Sequence, residues 1–98
     1  MKPAFHPEAV VEFEEAVQFY QPRGRTLGDR FAREVRATIV RIVATPKRWR
    51  ILEEGVRICR VRVFPYAVLY TIESDYILIV AIVHGKRRPG YWRRRLEQ

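Results

Sequence analysis

Near the C-terminus, five side chains suited to handling phosphate crowd into eight residues: His84, Lys86, Arg87, Arg88 and Tyr91. Arg60 and Arg62 add two more cations in the middle of the chain. Cleaving an RNA phosphodiester needs a base for the attacking hydroxyl, an acid for the leaving oxygen and a cation for the pentacoordinate phosphate. Arginine suits the third task because its planar fork meets two phosphate oxygens at once. An imidazole suits either of the first two, because imidazoles titrate near working pH. A tyrosine becomes a base only if its phenol falls by roughly 3 units from about 10, and the cations from Lys86 to Arg95 push Tyr91 that way. Plainer roles compete at the same positions. His84 can cap a strand, Tyr91 and Trp92 can cover a core edge, and Arg60 and Arg62 can solvate an open sheet face.

The charge of the chain is concentrated. Lys and Arg number 19 against 11 Asp and Glu, a net of +8 in 98 residues. Residues 1–22 are net acidic, whereas residues 23–62 hold twelve basic and four acidic side chains. The six basic residues between Lys86 and Arg95 have no acid among them. Solubility needs only a few net charges, so the excess implies a binding surface for an acidic partner.

Composition excludes several classes. The longest uncharged apolar run, Tyr76–His84, is too short to span a bilayer, so no membrane role is expected. A basic-then-apolar leader is missing, which predicts a cytoplasmic protein. One cysteine, Cys59, rules out an internal disulfide and a cysteine-based zinc site, and Cys59 reads as a small core residue. Two histidines without a carboxylate cluster predict no metal, and no cofactor is expected.

Those side chains need elements to position them, and the periodicities supply them. Lys2–His6 reads as an edge strand, with Pro3 against a central place. His6-Pro7-Glu8 starts a helix that carries Ala9, Val10, Phe13, Ala16, Val17 and Tyr20 on one face. Glu12, Glu14 and Glu15 fall mostly on the other face, and Pro22 and Gly24 end the helix. Thr26 reads as the N-cap of a second helix, with Leu27, Phe31, Val35, Ile39 and Ile42 in a stripe that stops before Pro46. The short link between them predicts an antiparallel helix hairpin. Period-two alternation follows over residues 56–63, with Glu53-Glu54-Gly55 as a turn before it. Ala67–Glu73 and Tyr76–His84 are joined by the Ser74-Asp75 hairpin turn. The second of these is apolar on both faces and belongs inside a sheet. Pro89-Gly90 turns the chain into a short final helix over Tyr91–Leu96. The expected fold is a single α+β domain over residues 1–98, β-α-α-β-β-β-α, with a helix hairpin packed on a small antiparallel sheet.

Three stretches carry a resemblance. Phe5-His6-Pro7-Glu8-Ala9 with Phe19-Tyr20 is the first. Arg60-Val61-Arg62-Val63-Phe64-Pro65-Tyr66-Ala67-Val68-Leu69-Tyr70 is the second, and Ile82-Val83-His84-Gly85-Lys86-Arg87-Arg88-Pro89-Gly90-Tyr91-Trp92 the third. Together they resemble the RelE/ParE superfamily of bacterial toxins from type II toxin–antitoxin modules, over nearly the whole chain. The resemblance implies one of two activities: RelE-like mRNA cleavage on the ribosome, or ParE-like inhibition of DNA gyrase. It also implies a cognate antitoxin as partner. On the RelE-like reading, Arg60 and Arg62 match basic positions placed against RNA, Lys86 and Arg87 match the basic pair after the last strand, and Tyr91 stands near the catalytic tyrosine. Ala67 occupies the position where RelE-like nucleases carry an arginine, which leaves its task to Arg62 or Arg88. The implied catalytic set is Arg62, His84, Arg87 and Tyr91; the implied nucleic-acid-binding set is Arg60, Arg62, Lys86, Arg87 and Arg88. A non-toxic basic RNA- or DNA-binding domain is the alternative.

Overall fold

The structure is a computed structural model that describes residues 1–97. The chain runs through β1 (Lys2–Phe5), α1 (Pro7–Tyr20), α2 (Leu27–Ala44), β2 (Ile51–Glu53), β3 (Val56–Arg60), β4 (Tyr66–Ile72) and β5 (Tyr76–His84). A 3-10 turn, Gln21–Arg23, links the helices, and a second, Arg93–Leu96, closes the described chain. This is the α+β fold expected, a helix pair on a sheet, with two corrections to the sheet. It is mixed rather than antiparallel, in the order β1-β5-β4-β3-β2, because β1 pairs with β5 in parallel. The helices between β1 and β2 form a crossover long enough to permit that pairing. A fifth strand, β2, too short to show a periodicity, also lies outside β3.

Other boundaries shift for physical reasons. Alternation continues in sequence to Val63, but β3 ends at Arg60 because Val63 takes φ 76° and turns the chain. Glu54 and Gly55, at φ 45° and 81°, form the tight turn between β2 and β3. The expected final helix is only the 3-10 turn Arg93–Leu96. Thr26 makes no side-chain cap; its carbonyl accepts from the Arg30 N–H. At α1, Pro7 opens the helix as expected, and the His6 imidazole caps it by accepting the Glu8 N–H through Nδ1 at 3.1 Å.

The helices cover one face of the sheet. Ala9, Ala16, Phe31, Val35, Ile39 and Ile42 meet Cys59, Val68, Tyr70, Ile77, Ile79 and Ile82 there. Val56, Leu69, Val80 and Ala81 line the opposite face, where Trp92, brought back by the C-terminal segment, is buried against them. Burying an aromatic of that size contributes about 2–3 kcal/mol on area alone. With β1 and β4 beside it and cover on both faces, β5 sits where its two-sided apolar sequence requires.

One irregularity in β5 decides what faces what. Leu69 pairs with Ala81 and Tyr70 with Ile79, so Val80 is an extra residue in the strand. Such a bulge puts two consecutive side chains on one face and reverses the alternation beyond it. Val80 and Ala81 thus both join the second face, while Ile82 returns to the helix side. His84 follows Ile82 in phase and stands opposite Tyr66.

Candidate functional site

Where β4 begins and β5 ends, the loop from Gly85 to Trp92 folds over the sheet and encloses a cleft of about 450 Å³. Arg60, His84, Arg87, Arg88 and Tyr91 all line it, with Tyr66, Ala67 and Trp92 in its wall. The structure therefore brings together five of the residues singled out by sequence. Arg62 is not among them; it lines an adjoining cleft beside α2, which shares Ile58 and Arg60 with the first. Lys86 lines neither cleft, and its backbone N–H donates to His84 Nδ1 at 3.0 Å.

That last bond fixes the imidazole. With Nδ1 accepting, neutral His84 carries its proton on Nε2 and presents a donor, not a base, from that atom. Its ring meets Tyr66 edge-on, at 5.0 Å between centroids. Tyr66 is itself half-buried, and burial raises its phenol above the usual range.

Tyr91 departs further from expectation. Its hydroxyl donates to the Glu12 carboxylate. Burial first, and then this bond to an anion, push the phenol well above its ordinary value, against the pull of Arg95 and Arg87. The cations of the tail were expected to push it down. Arg93 and Arg94 are spent on other carboxylates, Glu53 at 2.7 Å and Glu8 at 2.8 Å, while Arg95, paired with Glu12 at 2.8 Å, still pulls the phenol down but is outweighed. The Arg87 guanidinium lies 3.9 Å above the Tyr91 ring, on its face.

Glu12 is the residue that sequence reasoning missed. It falls between Ala9 and Ala16 on the buried stripe of α1, and the small alanines bring the helix close to β5. Its side chain is only 14% exposed, and Arg95 is 4% exposed. An acid at helical spacing between two buried alanines was the available signal.

Arg60 projects on the second face, opposite Ala67 in register. Arg60, Arg87 and Arg88 have no ion pair among the described residues. The cleft thus presents these three unpaired guanidinium groups, an imidazole whose Nδ1 accepts a backbone N–H and a phenol that donates to a carboxylate. Among the described residues no cluster of histidine, cysteine or carboxylate side chains could hold a metal ion. No helix among them is long and apolar enough to cross a membrane.

A second feature lies at the far edge of the sheet. Outermost strand β1 and the two helices frame an apolar groove of about 540 Å³, lined by Phe5, Val10, Phe13, Val35, Ile39 and Val40, with Glu14 and Arg36 at its rim.

Comparison with known proteins agrees with the fold. The family model described as ParE toxin of type II toxin-antitoxin system, parDE, matches residues 4–89. A solved structure titled as the chromosomal ParDE TA system from P. aeruginosa superposes with a TM-score of 0.75 at 16% identity, covering 86% of this chain and 95% of that one. At that identity the likeness is one of fold. No curated protein matches the sequence.

Proposed function

The chain belongs to the ParE toxin family of type II toxin–antitoxin systems, and from that premise we propose that it arrests growth by binding DNA gyrase rather than by cutting mRNA. The observation that carries the reading is the bond from the Tyr91 hydroxyl to Glu12. A phenol held protonated beside a carboxylate is a poor general base near neutral pH. Neutral His84 offers no lone pair at Nε2 while Nδ1 accepts from Lys86. Arg62 is outside the cleft, and Ala67 supplies no cation to it. A binder of gyrase needs none of these groups, only a rigid surface. The unpaired Arg60, Arg87 and Arg88 provide one with positive charge.

The partner on this reading is a cognate antitoxin, and the apolar groove beside β1 is its seat. Val40 and Val10, 68% and 39% exposed, supply the kind of side-chain row that an amphipathic helix covers. The free edge of β1 can add a strand next to it.

Two assays on the full chain test the mechanism together: DNA supercoiling by gyrase, and primer extension on message from a translation extract. Loss of supercoiling with intact message is expected. Cleaved message with normal supercoiling overturns the proposal in favour of ribosome-dependent mRNA cleavage, for which the cleft of Arg60, His84, Arg87 and Arg88 is the natural site. Binding to nucleic acid with no growth arrest overturns both.

A further inference from the structure

We propose that a second cleft, which adjoins the one holding His84 and shares Arg60 with it, binds the phosphate backbone of a single-stranded nucleic acid. It is about 500 Å³ in volume and lies between the C-terminal turn of α2, the segment leading into β2 and the end of β3. Arg41, Arg48, Arg50, Arg60 and Arg62 line it together with Trp49.

Charge is the first argument. Five guanidinium groups share this cleft without one carboxylate in its lining. Four other surface clefts of the molecule each include at least one acid. None of the five forms an ion pair among the described residues, whereas Arg93, Arg94 and Arg95 are all neutralised. Like charges so gathered repel one another, and a bound polyanion relieves that repulsion.

Geometry is the second. Strand β2 leaves β3 early: the Ile58 N–H donates to the Arg50 carbonyl at 3.2 Å, whereas the Val61 N–H, like Cys59 in the ladder, faces β4 and donates to the Tyr66 carbonyl. Alternation along the strand leaves the Arg60 amide on the open edge between them. A free backbone donor thus sits among the guanidinium forks, an arrangement suited to phosphate oxygens.

The third is chemical type. All five cations are arginine, whose fork matches phosphate, and the one aromatic is a half-buried tryptophan that can stack with a base. An acidic peptide has no use for that ring, so we commit to a nucleic acid. The proposal does not rest on gyrase being the target.

Binding is measured by fluorescence anisotropy with the full chain, using a labelled oligo(dT) of about twelve nucleotides and a labelled oligoglutamate of equal charge. Replacing Arg48, Arg50 and Arg62 with alanine removes three exposed cations from the cleft. Replacing Arg25, Arg30 and Arg33 removes three exposed cations elsewhere. The cleft variant should bind oligo(dT) at least about tenfold more weakly, with the salt slope reduced by about 2 for three lost phosphate contacts. The control variant should lose much less. Trp49→Leu should cost a further fivefold to tenfold with the salt slope unchanged. Equal losses in the two triple variants overturn the proposal and leave only diffuse electrostatics. Oligoglutamate binding as tightly as oligo(dT) overturns it in favour of an acidic polypeptide. Unchanged unfolding midpoints of both triple variants verify that lost binding is not lost folding. Supercoiling inhibition is scored separately, so failure here leaves the gyrase reading standing.

Discussion

Arg95 and Glu12 meet in a two-pronged ion pair, 2.9 and 2.8 Å, at the edge of β5, and together they replace a missing strand. Strand β1 pairs with β5 only as far as Ile79. Beyond that point the Ile82 N–H donates to Glu12 at 3.1 Å, and the Val80 carbonyl accepts from Arg95 at 2.9 Å. Backbone groups that would be stranded at a buried edge are thereby satisfied, and the same pair anchors the segment that carries Tyr91 and Trp92.

Removing Glu12 should be costly. Glu12→Ala leaves a buried guanidinium with only its longer contact to Glu8, at 3.8 Å, and the Ile82 amide without its acceptor. A loss of about 3–5 kcal/mol is expected in urea unfolding. A loss below about 1 kcal/mol would show that the pair does not hold the edge.

Trp92→Ala should open a cavity against Leu69 and Val80. The expected cost is about 3–5 kcal/mol, read as a lower unfolding midpoint. A change within about 0.5 kcal/mol would mean that the C-terminal segment contributes no cover to the second face.

Tyr91→Phe separates structure from chemistry. It removes one hydrogen bond to the Glu12 carboxylate, worth about 1.5–3 kcal/mol, while Arg95 still satisfies the carboxylate. Growth arrest on expression should persist. Loss of arrest in a variant that still folds cooperatively at the assay temperature would return the phenol to a catalytic role.

Alkaline pH should weaken the fold. Burial raises the phenols of Tyr20, Tyr66, Tyr70 and Tyr91, with Tyr70 pushed up to about 12. Each binds its proton more tightly folded than unfolded, where the value is about 10. The associated stability is fully present below pH 10 and is lost as pH rises through the folded values. The urea midpoint should fall between pH 8 and pH 11; a flat or rising midpoint would contradict the burial of these rings.

Val40→Asp tests the antitoxin seat. Val40 is 68% exposed, so stability should change by no more than about 0.5 kcal/mol. Arrest should remain, but co-expressed antitoxin should no longer relieve it. Full rescue at normal toxin levels would move the seat elsewhere.

Local pattern alone determined most of the architecture. The 3.6-residue stripes of Ala9 to Tyr20 and Leu27 to Ile42, the two-sided apolar run of Tyr76–His84, and the prolines and glycines between them specify two helices and the long strands. Each such signal depends on residues a few positions apart. The tail reads as free cations in sequence because Arg93, Arg94 and Arg95 find their carboxylates 40, 86 and 83 residues away. The orientation of His84 was equally hidden, since it follows from a bulge at Val80 that only the pairing of β4 with β5 reveals. So did the gathering of Arg41, Arg48, Arg50, Arg60 and Arg62 from α2, the segment before β2 and the end of β3 into one cleft await the tertiary fold. Periodicity reports which face a side chain takes along its own element. Which distant group meets that face depends on chain closure, which brings charges together across the sheet without leaving a trace in local spacing.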